Sequence, residues 1–120
     1  MTERETKRIW ESYLETAIWS SGEEYDEYCL IDFSDGAKEY SENIVDDFVA
    51  HNEHLLDQLM EEGLTNPDRI GHNLWLTQAG HGAGFWDDNL GVTGDLLTEW
   101  AKSWRTESVY LNGEGQLEIC

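Results

Sequence analysis

Two histidines and two aspartates within one stretch are the side chains of this sequence best suited to do chemistry. In GHNLWLTQAGHGAGFWDDNLG, residues 71–91, His72 and His81 each offer a neutral nitrogen for zinc or a proton shuttle near neutral pH. Asp87 or Asp88 can orient such a ring, so a hydrolytic or metal centre would be built on His81 and Asp87. The spacing gives it little support, because the chain has no HExxH, no His-x-His, no Gx4GK[ST] and no GxSxG. Gly80, Gly82 and Gly84 form GxGxG, whose backbone amides can cradle a phosphate, yet no lysine follows and the flanking acids repel an anion. The plainer reading is a tight turn: the glycines permit positive φ, and His81 and Asp87 hydrogen-bond within it. His72, Gly80, His81, Gly82, Gly84, Trp86 and Asp87 are therefore the candidate motif residues, with a structural turn as the leading role. No metal and no cofactor is expected. Cys29 and Cys120 lack CxxC spacing and are too few for a disulfide framework, so both are expected to be free thiols.

The charge points elsewhere. The chain carries a formal net charge of -19 on 120 residues, and between Glu11 and Glu62 there are sixteen carboxylates and one base, Lys38. Placed at about 100° per residue, Asp35, Glu39, Glu42, Asp46, Glu53, Asp57 and Glu61 fall within about a third of a turn of one another. A helix there carries a carboxylate ridge. A chain this negative is repelled by DNA, RNA and anionic lipid, which argues against direct nucleic-acid or membrane binding and makes basic protein surfaces the natural partners. Two blander explanations compete: negative charge for solubility, and adaptation to high salt, which fits the presence of only three lysines. A ridge kept only for solubility would usually mix signs. Here each like-charge pair at i,i+3 or i,i+4 costs roughly 0.2–0.5 kcal/mol, with Lys38 the one base along the stretch.

The elements that must carry these residues follow from periodicity. Ile9, Trp10, Tyr13, Leu14, Ala17 and Ile18 repeat as one face of an amphipathic helix, with Thr2 or Thr6 as its cap and Ser20-Ser21-Gly22 as its end. Residues 23–33 read as a connector packing under its aromatics. Ser34 caps a second helix running to Gly63, with Ile44, Val45, Phe48, Val49, Leu55, Leu56, Leu59 and Met60 buried on the side opposite the ridge. Asn66-Pro67 starts a short helix to about His72, after which Leu74-Trp75-Leu76-Thr77 has strand-like content. Thr93 would cap a last helix through Trp104, and residues 108–120 give two strands about Asn112-Gly113-Glu114-Gly115. The six tryptophans read as core or half-buried packing. No apolar run approaches the 18 residues of a membrane span and MTERETKR is no signal peptide, so a soluble, intracellular protein is expected.

The block at residues 71–91, with YLETAIWSS upstream and VYLNGEGQLEI downstream, resembles a family of small uncharacterised bacteriophage proteins bearing a GHDFWLTRNGHGAGFWDR-like motif. The resemblance runs from about Tyr13 to Ile119, and its most specific part is GHGAGFWD, Gly80 to Asp87. Where that family shows Arg-Asn this chain has Gln78-Ala79, and Asp88 replaces the usual Arg after Trp-Asp; both changes remove positive charge. What the resemblance implies is phage origin, hence the host cytoplasm, and an αβ fold. It implies no activity.

The expected fold is one α+β domain over residues 1–120: amphipathic helices packed on a small antiparallel sheet that includes a C-terminal β-hairpin, with residues 73–77 as a further strand. The expected function is non-enzymatic, a phage-encoded acidic inhibitor of a host nucleic-acid-binding defence protein of anti-CRISPR or anti-restriction type, acting as a nucleic-acid mimic. Its partner-binding residues would be Asp35, Glu39, Glu42, Asp46, Glu53, Asp57 and Glu61, set against a basic surface. The alternatives are a small metal-binding or hydrolytic enzyme centred on His81 and Asp87, and a phage accessory protein whose acidic surface is incidental.

Overall fold

A computed structural model of the chain describes residues 1–80, 84–85, 90–104 and 108–119. Helix α1, Glu3–Ser20, begins in a capping box: the Thr2 hydroxyl accepts from the Glu5 amide at 3.1 Å, and the Glu5 carboxylate accepts from the Thr2 amide at 2.9 Å. The chain leaves it at Gly22, φ 118°. Two 3-10 turns, Glu23–Tyr25 and Leu30–Asp32, form the connector and lead to fully buried Phe33. Helix α2, Asp35–Glu61, starts with the Ser34 hydroxyl accepting from the Ala37 amide at 3.1 Å and runs unbroken for 27 residues. Helix α3, Pro67–Ala79, begins with the Asn66 side chain accepting from the Arg69 amide at 2.9 Å. Helix α4, Gly91–Ser103, and strands β1, Val109–Leu111, and β2, Leu117–Ile119, complete the chain.

The fold is α+β: the described residues form four α-helices and a small antiparallel sheet made by the C-terminal hairpin. Its register pairs Val109 with Ile119, Tyr110 with Glu118 and Leu111 with Leu117. Asn112 ties the turn, its side-chain oxygen accepting from the amides of Glu114 and Gln116 at 2.8 and 3.0 Å.

The expected strand at residues 73–77 is not one. Those residues continue α3, which runs through Ala79 and not to about His72, and ends at Gly80 in the left-handed conformation that glycine tolerates, φ 72°. A short apolar run does not distinguish a buried strand from a buried helix. Here the neighbouring helix decides. Gly71, Trp75 and Gln78 lie at helical spacing on the side of α3 that meets α1, and a Cβ on Gly71 would stand 2.2 Å from the Ile9 carbonyl oxygen and 2.8 Å from Tyr13 N. Around that close approach the Ser12 hydroxyl donates to the Asp68 carbonyl at 2.6 Å, Trp75 Nε1 donates to Ser20 Oγ at 2.8 Å, and Tyr13 stands edge-on to Trp75 with centroids 5.4 Å apart. Phe33 instead joins the sheet, bridging Leu117 in parallel, with the Ser34 amide donating to the Leu117 carbonyl at 2.9 Å.

Two smaller expectations are also corrected. Thr93 lies inside α4, which starts at Gly91 with no side-chain cap. Trp19 is not packed away but 68% exposed, while Trp75 is fully buried and Trp10, Trp100 and Trp104 are half-buried; Trp86 lies outside the described residues. Cys29 is an exposed free thiol, and Cys120 lies outside the described residues. Among the described residues, no helix is long and apolar enough to cross a membrane.

Gly71 yields a direct test of this packing. Gly71→Ala should lower the unfolding free energy in urea by about 2–3 kcal/mol, because the methyl meets backbone that cannot give way. Gly113→Ala, into open space, should change it by no more than about 0.5 kcal/mol. Equal effects would show that α1 and α3 do not approach this closely.

Candidate functional site

The ridge residues stand on one continuous helix. Asp35, Glu39, Glu42, Asp46, Glu53 and Glu61 are exposed and Asp57 is half-buried, while Ile44, Val45, Phe48, Leu56 and Leu59 fill the core from the other side. Phe48 carries much of that attachment, stacked on Phe85 with centroids 5.6 Å apart and tilted against Trp100 at 5.0 Å. Asp35 sits in the first turn, where a negative charge suits the helix dipole.

The ridge is neither uniform nor aimed straight away from the core. Among the described residues no ion pair engages Asp35, Glu39, Glu42, Asp46 or Glu61, but the Met1 α-ammonium lies 3.1 Å from Glu53 and 3.2 Å from Asp57. The sequence shows a gap in the acids between Asp46 and Glu53, where exposed Ala50 follows Val49, which is buried. There α2 runs beside α1, and a groove of about 620 Å³ opens between them. Its lining joins Val49 and Ala50 to Glu42, Asp46 and Glu53 of α2 and to Met1, Glu3, Thr6, Lys7 and Trp10 of the facing N-terminal segment. Trp10 is fixed in place by its indole N–H, which donates to Ser41 Oγ at 2.8 Å.

The acids are legible in the sequence; this groove is not. Trp10 read as core because it belongs to the helical stripe with Ile9 and Tyr13. The one available signal was the interruption of the acidic period at Val49-Ala50.

The motif residues fare differently. His72 is half-buried between α1 and α3, its Nδ1 3.2 Å from Thr16 Oγ1 and its ring facing Trp19 at 5.7 Å. Gly80 ends α3, and Gly84 has φ 156° next to Phe85, which is buried and whose amide donates to Thr77 Oγ1 at 3.4 Å. His81, Gly82, Trp86 and Asp87 lie outside the described residues, as does Asp88. Beside Gly80, a smaller cavity of about 320 Å³ is lined by Thr77, Gln78 and Lys102. Gln78 is buried there; its Oε1 accepts from the Tyr13 hydroxyl at 2.6 Å, and its Nε2 has no hydrogen-bond partner among the described residues. Among the described residues, no group of three or more His, Cys, Asp and Glu side chains is arranged to hold a metal ion.

Electrostatics on α1 are more balanced than on α2. Arg8 reaches Glu15 at 3.1 Å, Glu11 at 3.9 Å and also Asp68, and hydrogen bonds to Glu15 and then Asp68 hold its guanidinium more firmly charged. At the ridge, the hydrogen bonds that the Met1 α-ammonium donates to Glu53 and then to Asp57 raise its pKa above the ordinary 8.0. The cation is thus favoured in the folded state. Its contribution to stability is complete below pH 8 and is lost as pH rises through the raised folded value. Thermal melts should therefore fall more steeply above pH 8 for the free-amine chain than for an α-acetylated one. Parallel curves would show that the contact does not hold in solution.

No family model, no curated protein and no solved structure matches the chain.

Proposed function

We propose that this chain is a phage-encoded, non-enzymatic inhibitor that binds the basic nucleic-acid channel of a host defence protein, of anti-CRISPR or anti-restriction type, as an acidic decoy in the host cytoplasm. The phage setting rests on the resemblance of residues 71–91 to the phage family motif. The single observation that carries the decoy is α2, unbroken from Asp35 to Glu61, with seven carboxylates on one side. At 1.5 Å per residue they span about 39 Å, close to one full turn of duplex DNA. That is about one charge per 6 Å against one per 3.4 Å on a DNA strand, enough to engage a row of Lys and Arg but sparser than the polymer it would replace.

A decoy of this kind works by occupying a surface and needs no catalytic group. Guanidinium and ammonium groups that contact phosphates accept carboxylates as partners, and an Arg fork can hold one carboxylate with two hydrogen bonds. Release of the negative ridge from water is tolerable because the ridge is exposed and the pairs form at a rim, where they steer association more than they deepen it. Binding of this kind weakens as salt rises, since such pairs are screened within about 8 Å at 0.15 M.

The test uses the chain immobilised beside a variant carrying Glu39→Lys, Asp46→Lys and Glu61→Lys, none of which is held by Met1. A host nucleic-acid-binding protein should be retained by the parent and lost by the variant, and its affinity for the parent should fall by about tenfold or more between 0.05 and 0.5 M salt. Retention that survives charge reversal, or that ignores salt, would assign the acidic surface no part in binding. The variant itself should fold at least as stably, because like-charge neighbours are relieved.

A further inference from the structure

The ridge has a centre of a different character from its ends, and that centre is concave. Between the acids of residues 35–46 and those of residues 53–61, the groove is lined by exposed Ala50, half-buried Trp10 and buried Val49, apolar residues bordered by carboxylates on both sides. Trp10 has already donated its N–H to Ser41, so what it offers a ligand is carbon and π surface. We infer that this groove is an arginine-reading site, which receives an arginine-bearing segment of the basic partner with guanidinium on Trp10 and the rim carboxylates Glu42, Asp46 and Glu53. The inference rests on the decoy reading and deepens it by naming which basic residue the centre of the ridge takes.

Three features favour arginine over other occupants. The rim is acidic, which selects a cation and disfavours a purely apolar segment or an acidic one. The floor is apolar and aromatic, which suits the weakly hydrated guanidinium plane and its three-carbon stem better than the compact, strongly hydrated lysine ammonium. The volume of about 620 Å³ has room for neighbouring residues of the same segment as well. The lining also holds two cations. The Met1 α-ammonium is committed to Glu53 and Asp57, while exposed Lys7 shares the groove without an ion pair among the described residues and would compete with an arriving arginine.

The experiment titrates the whole chain with nona-arginine and, separately, nona-lysine at matched low salt, following the backbone and indole N–H signals by NMR. The Trp10 indole is assigned by Trp10→Phe. Nona-arginine should move the Trp10 indole, Val49 and Ala50 signals most and bind several-fold more tightly than nona-lysine. Ala50→Arg fills the groove while leaving every ridge acid in place, and should weaken nona-arginine by about tenfold relative to Gln58→Arg, which adds the same charge at another exposed position on α2. Lys7→Ala should tighten it a few-fold. Shifts confined to the ends of the ridge with Trp10 unmoved, equal binding of the two peptides, or equal affinities for Ala50→Arg and Gln58→Arg would each overturn the arginine site. Those outcomes leave the decoy intact if the charge-reversed ridge still loses its host partner; failure of both peptides to bind at low salt would remove the groove and the decoy together.

Discussion

A row of like charges on a helix survives only if something stronger holds the helix from its other side. Along α2 the neighbouring ridge acids repel with a combined cost of about 1–2 kcal/mol at i,i+3 and i,i+4 spacing. Against this, burial of Ile44, Val45, Phe48, Leu56 and Leu59, all at most 4% exposed, contributes roughly 10 kcal/mol of transfer free energy. Packing wins by a wide margin, so the helix need not mix signs on its outer face. The Met1 ammonium offsets repulsion only at the Glu53 and Asp57 end, leaving the first half of the ridge with its charge unpaired among the described residues.

The same packing shapes the surface beside the ridge. Gly71 lets α1 and α3 come together backbone to backbone, and that pair presents Trp10 and Lys7 along α2. Trp10 then joins α1 to α2 through Ser41, which is fully buried. The groove lies between α1 and α2, and its apolar lining falls where the acidic period of α2 lapses.

Local chemistry made much of this readable from the chain. Thr2, Ser34 and Asn66-Pro67 mark helix starts because a cap is made by residues within one turn of each other, and the hairpin follows from its Asn-Gly turn for the same reason. The ridge was readable because its period is that of a helix. What failed was decided at long range. Leu74–Thr77 has the composition of a strand, and only α1 lying against Gly71 makes it helix; Phe33 joins the sheet through one parallel bridge that no local pattern announces. Trp19 belongs to the α1 stripe by type yet stays exposed above His72. The groove needed the relative placement of α1 and α2, which no single-helix period contains, and the Met1 contact joins residues more than fifty positions apart. Of the motif block, Gly80 has the positive φ expected of it but ends a helix where a turn between two extended pieces was expected, and His81 and Asp87 lie outside the described residues.

The proposed decoy requires that α2 and nucleic acid claim the same surface of the partner. Displacement tests this: any host protein that the immobilised chain retains is challenged with rising concentrations of duplex DNA or RNA, and the released fraction is followed at constant ionic strength. A decoy is released completely along a competitive curve, set by the nucleic acid's own affinity. A complex that persists at saturating nucleic acid, with both bound at once, would contradict it.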